Sequence, residues 1–157
     1  MSVIIQGDQV RAIALGIAVE KAGVSPVSGT SPLFTVAGGK VLIVGVVGEV
    51  TTAMDGTTTS INLNHDPTVG SAVNICAATV VTSDVVGTVY GYSGVITELL
   101  TSSGTAAPGT AYTRLPSTGM VLTPGVIGQV GTAADAGVVT WTCIYVPVDD
   151  GASVAAA

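Results

Sequence analysis

The sequence predicts an all-β protein, an antiparallel β-sandwich of jelly-roll type with an extended N-terminal arm. Three observations carry that reading. The chain holds 27 Val and 21 Thr, so 48 of its 157 residues are β-branched before any Ile is counted. Such side chains are stiff at χ1 and fit a pleated surface better than a helix. Several runs alternate bulky and small or apolar and polar side chains with a period of two, the strand period. Turn signals built on Gly, Pro, Asn, Asp and Ser part these runs about every eight to twelve residues, the spacing of a sandwich.

Residues 11–19 place Arg11, Ile13, Leu15, Ile17 and Val19 on one side and Ala12, Ala14, Gly16 and Ala18 on the other. A helical stripe of Val10, Ile13, Ala14 and Ile17 also fits, but the cleaner period of two favours an extended segment. The turn-rich stretch 23–32 then separates an arm and linker, residues 1–32, from a sandwich domain, residues 33–157. In the domain, Leu33-Phe34-Thr35-Val36 leads through Ala37-Gly38-Gly39-Lys40 into a long strand over 41–52, whose first four residues are apolar on both faces. Met54-Asp55-Gly56 reads as a hairpin turn. Residues 57–64 follow, with Ile61 and Leu63 inward and Ser60, Asn62 and Asn64 outward. Further strands are expected at 73–81, 85–92 and 95–100, and a long Ser/Thr/Gly/Pro/Ala-rich surface loop between 101 and 119. Residues 120–122, 126–130 and 138–146 complete the set. In the last, Val139, Trp141, Cys143 and Tyr145 share one face, and Trp141 is expected to serve as a core or inter-subunit anchor.

Charge excludes whole classes of function. Charged residues are 9% of the chain, and four cations face ten carboxylates for a net charge of −6. Phosphate backbones need the opposite sign, so nucleic-acid binding is not expected, and neither is a polybasic membrane anchor. The uncharged stretches are broken by Pro, Gly, Asn, Ser and Thr, so no membrane-spanning helix is expected. Residues 1–11 lack the basic start and compact apolar run of a secretory signal. Cys76 and Cys143 each lie in an apolar strand, as buried reduced thiols of a chain made in a cytoplasm.

Catalytic candidates are sparse, and the reading is of a non-enzyme with no cofactor and no metal. His65 is the lone histidine, and without a Gly-x-Ser-x-Gly elbow it reads as a polar turn residue. Gly38-Gly39-Lys40 resembles the end of a phosphate loop, yet Val41 stands where Ser or Thr is required and Phe34 where the first Gly is required. Asp149-Asp150, with Glu49 or Asp135 folded nearby, would be the only hard-cation candidate, and it reads more simply as a solvated turn. One His and two distant Cys match no zinc spacing.

A surface so poor in charge leaves strand edges without the Lys or Glu that discourage association. An obligate homo-oligomer follows, with edges capped by neighbouring chains and with Arg11, Ile13, Leu15, Ile17, Val19 and Trp141 as its interface residues. The strings Leu33-Phe34-Thr35-Val36-Ala37-Gly38-Gly39-Lys40-Val41-Leu42-Ile43-Val44, Gly48-Glu49-Val50-Thr51-Thr52-Ala53, Val138-Val139-Thr140-Trp141-Thr142 and Tyr145-Val146-Pro147-Val148-Asp149-Asp150-Gly151-Ala152 resemble a group of small virion proteins of tailed bacteriophages, over residues 33 to 154. The resemblance implies a protein that decorates and stabilises the capsid exterior, as a trimer bridging subunits of the major capsid protein, located in the virion after synthesis in the bacterial cytoplasm. It transfers no residue-level site. The alternative within the virion is a tail, fibre or spike module binding a host-surface glycan, for which Tyr112 in the long loop is the ring to watch.

Overall fold

The computed structural model describes residues 7–58, 60–92, 94–97, 101–102 and 119–157. One helix, α1 (Gly7–Leu15), precedes twelve strands: β1 (Ile17–Val24), β2 (Gly29–Ala37), β3 (Val41–Thr52), β4 (Ser60–Pro67), β5 (Val73–Asn74), β6 (Thr79–Val80), β7 (Val89–Gly91), β8 (Thr101–Ser102), β9 (Met120–Leu122), β10 (Gly125–Gly131), β11 (Val138–Pro147) and β12 (Ser153–Ala156). The protein is an all-β sandwich of two sheets whose strand pairs are antiparallel. The first sheet runs β1-β11-β3-β7-β8, with β9 also on β3. The second runs β10-β4-β5 with β6 on β4, and the β2-β12 pair lies beside β10, bridged between Ser28 and Gly131.

β3 and β11 form the spine. Val139, Trp141, Cys143 and Tyr145 are all buried, on the face that the period of two assigns to them. On β3 the inward set changes phase. Val41 and Ile43 face the core, then Val46, Gly48 and Val50 do, because the register against β11 slips between Ile144 and Tyr145 and passes over Val44. One unpaired residue is enough to exchange the faces of a strand.

Trp141 lies opposite Gly48, which lies opposite Tyr90 on β7. The two rings stack over the glycine with centroids 6.2 Å apart. A Cβ at position 48 would come within 2.7 Å of the indole, so only glycine admits this arrangement. From the facing sheet, Gln129 on β10 accepts the Trp141 indole N–H at 2.8 Å. Trp141 is fully buried and belongs to the core, so its reading as an interface residue is corrected.

Several other expectations are revised. Residues 11–15 are helical, not extended; only 17–19 of that stretch lie in a strand. The period there alternates bulky with small and never apolar with polar, so it carried no facial signal, and the helix-favouring Ala12 and Ala14 decide locally. Residues 17–32, read as arm and linker, form β1 on β11 and the first part of β2. Met54-Asp55-Gly56 does not close a hairpin, because β3 and β4 belong to different sheets. The Asp135 carboxylate, accepting from the Asp55 N–H at 3.0 Å and the Thr58 N–H at 3.1 Å, holds that segment as a crossover. Asn62 and Asn64 are buried, not outward, since β4 is an inner strand between β10 and β5/β6. Stretches 73–81 and 85–92 shorten to β5, β6 and β7. The strand expected over 95–100 is in part a turn, with 98–100 outside the described residues, as is 103–118 of the long loop. The small-residue tail, by contrast, pairs with β2 as β12.

Candidate functional site

Three places merit scrutiny: the α1–β1 margin, the surroundings of His65, and the carboxylates. The margin exposes three large apolar side chains in a short stretch, Val10, Leu15 and Ile17. β1 closes one edge of the first sheet and pairs only with β11, from Ile17 opposite Tyr145 to Val24 opposite Val139. Of its residues only Val24 is fully buried; Ile17 is 40% exposed and Val19 packs partly on the core. Ahead of it, α1 ends at Gly16, whose N–H donates to the Ala12 carbonyl at 3.0 Å with φ at +96°. This is the left-handed helix stop that glycine supplies. A Cβ there would also sit 2.8 Å from the Tyr145 carbonyl, so the helix leaves β1 at a point where only glycine fits.

Along α1, Val10 (51%), Ala12, Ala14 and Leu15 (54%) are all exposed. Arg11 and Ile13 lie in the helix by backbone, and their side chains fall outside the described residues. The structure thus places Leu15, Ile17 and Val19 together at one rim, with Trp141 inside the sandwich behind them. Opposite the rim, the Lys21 ammonium bonds the Ala157 carbonyl and ties β1 to the end of β12.

His65 is not a turn residue. It lies within β4 and is 4% exposed, with Nε2 donating to the Thr123 carbonyl at 3.1 Å. That bond fixes the neutral tautomer with the proton on Nε2. Burial pushes its pKa down, against smaller upward pulls from the Thr123 carbonyl and the Asp66 charge. Beside it runs an open groove of about 400 Å³, lined among others by Val73, Ile75, Ile96, Met120 and Leu122 and, among the described residues, by no charged one. Neither a hydroxyl nor a thiol meets the imidazole among the described residues. The thiols lie elsewhere: burial raises Cys76 to about 11 and Cys143 to about 12. Thiols so protonated at neutral pH are poor nucleophiles.

The carboxylates do not assemble into a cation site. Asp149 accepts the Lys40 backbone N–H at 2.8 Å and pairs with the Lys40 ammonium at 3.5 Å, which locks the β2–β3 turn to the β11–β12 turn. Asp135 is filled by backbone donors, and no group of three His, Cys, Asp or Glu suited to a metal exists among the described residues. The interior aromatics Phe34, Tyr90, Tyr92 and Trp141 are buried, so none offers a face to a sugar; Tyr112 is outside the described residues. No helix of the described residues is long and apolar enough to cross a membrane.

The sequence located the margin by composition but missed its helix. What could have found it is the Val10, Ile13, Ala14, Ile17 stripe together with Gly16 as a stop. Comparison with protein-family models, with curated proteins and with solved structures finds no match.

Proposed function

We propose that this chain is a non-enzymatic virion protein that binds and stabilises an assembled bacteriophage capsid from outside, as a homo-oligomer of three copies bridging major capsid subunits through its α1–β1 margin. One observation carries the reading: a nine-residue helix with Val10 and Leu15 exposed stands off the sandwich at an open sheet edge. A helix that short is marginal in water unless it packs on something. An open edge beside it offers main-chain hydrogen bonds to an added strand. The near-absence of charge suits a contact made by apolar and hydrogen-bonding surface, and the resemblance of the strings in 33–53 and 138–152 to small phage virion proteins supports a shell as the partner. A protein that binds only the assembled shell stabilises it by mass action.

Deleting residues 1–15 tests this. The truncated chain keeps β1 and is expected to retain its β circular dichroism and melting temperature, while co-sedimentation with shells of the cognate major capsid protein falls at least about tenfold, the loss of roughly 1.4 kcal/mol of contact. Normal sedimentation of the truncated chain with shells would refute the role given to α1.

A further inference from the structure

The crossover between β6 and β7, residues 81–88, carries a buried carboxylate that, among the described residues, has no cation and no backbone donor on its side chain to match its charge. Asp84 is 2% exposed. Among the described residues its only side-chain partner is the Tyr90 hydroxyl, which donates to Oδ2 at 2.7 Å. Both described lysines are engaged elsewhere, Lys40 with Asp149 and Lys21 with the Ala157 carbonyl. The neighbouring carboxylates differ sharply. Asp135 accepts three backbone N–H groups, from Asp55, Thr58 and Gly137. Asp55 accepts from Thr57 at 2.7 Å and Ala136 at 3.3 Å. A carboxylate with several backbone donors is at home ionised; one with a single hydroxyl and no cation is not.

The segment that holds Asp84 is itself under tension. Ser83 sits at φ +60°, a left-handed conformation unusual for a residue with a side chain. The turn grips β3 through three main-chain bonds. Met54 donates to the Asp84 carbonyl at 2.9 Å, Gly87 to the Val50 carbonyl at 2.8 Å, and Val50 to the Thr88 carbonyl at 2.9 Å.

We propose that residues 81–88 form a proton-operated latch: when Asp84 takes a proton from solvent the turn tightens on β3, and when it gives the proton up the turn loosens. The titratable and charged groups around it are Tyr90 on β7, Asp135 before β11, Asp55 in the β3–β4 crossover and Glu49 on the adjoining part of β3. Burial raises the Asp84 pKa, with the Tyr90 hydroxyl pulling the other way. Hydrogen bonds from Thr57 hold Asp55 below its usual range, so Asp55 stays charged where Asp84 becomes neutral. The sign follows. In the opened turn Asp84 meets water and titrates near about 3.9. The closed turn binds the proton better, so closure strengthens as pH falls through the raised range of the buried carboxyl and levels off near that value. Each pH unit inside the window contributes up to about tenfold in the opening equilibrium. The latch is independent of the capsid role.

Hydrogen exchange at the amides of Val50, Met54 and Gly87, corrected for intrinsic rates, reads the latch directly. Wild-type protection is expected to rise by about twofold or more between pH 7 and pH 4.5. Asp84→Asn should show high protection at both values and no rise. Tyr90→Phe removes the sole donor to the carboxylate and should move the midpoint of the rise to higher pH. A pH response that survives intact in Asp84→Asn, or a midpoint that stays or falls in Tyr90→Phe, would overturn the latch; if Asp84→Asn fails to fold, the Tyr90→Phe midpoint decides alone.

Discussion

Gly48 shows how one missing side chain organises a core. The stacked Tyr90 and Trp141 rings meet above it because nothing projects from β3 at that point. A methyl group there would lie 2.7 Å from the indole, and the rigid ring has Gln129 and Tyr90 on either side to prevent retreat. Gly48→Ala is therefore expected to cost about 1–3 kcal/mol, the range for an overpacked core, read as a lower denaturation midpoint with unchanged slope. A variant as stable as the wild type would mean that the indole has room to move. The residue scale was partly legible. The period of two puts Trp141 on one strand face with Val139, Cys143 and Tyr145 but leaves core and inter-subunit roles open, and its glycine seat is hidden, since pairing 48 with 141 depends on register and not on spacing along the chain. Asp135 was visible in the sequence only as an acid in a turn; its role as acceptor for Asp55, Thr58 and Gly137 requires the crossover to be folded.

At the scale of elements, α1 and β1 differ in what they do for the fold. Helix α1 lies outside the sheets, whereas β1 covers β11 from Ile17 to Val24. Extending the deletion from residue 15 to residue 24 should convert a neutral change into a destabilising one of several kcal/mol, because it strips a hydrogen-bonded strand from the β11 edge and removes buried Val24. Equal melting temperatures for the two deletions would show that β1 contributes nothing to the sandwich. The long strands were legible before the structure. β3 spans 41–52 and β9 120–122 as expected, and β10 and β11 extend the expected runs by one or two residues. Strand content was legible because Val- and Thr-rich alternation persists over many residues. What was not legible is which sheet a strand joins. Met54-Asp55-Gly56 has hairpin chemistry, yet the chain passes to the other sheet, held there by long-range hydrogen bonds that Met54, Asp55 and Thr58 donate to Asp84 and Asp135. The candidate site was legible as a margin and illegible as a helix, since Ala-rich alternation serves both periods.

For the whole molecule, acidity tests the interior. The buried neutral His65 has a folded pKa below its ordinary 6.5, so the unfolded chain takes up the proton first. Its contribution to stability is complete above about pH 6.5 and is lost as pH falls below that value. Chemical denaturation of wild type and His65→Gln should therefore give a constant difference above pH 7 and a shrinking one toward pH 5. A difference that does not change with pH would mean that the ring is equally hydrated in both states. The layout of the sandwich has a further consequence, for its biogenesis. β1 is matched with β11 and β2 with β12, so the antiparallel ladders of the first two strands form only with residues 138–156. A ribosome adding 5–20 residues per second takes on the order of ten seconds to make the intervening stretch. For that interval Leu33, Phe34 and Val36 wait in solvent without a lattice to enter, and closure comes in one late step. A chain truncated before residue 138 is therefore expected to leave both strands unpaired and to aggregate more readily than the full chain, a difference that light scattering would read.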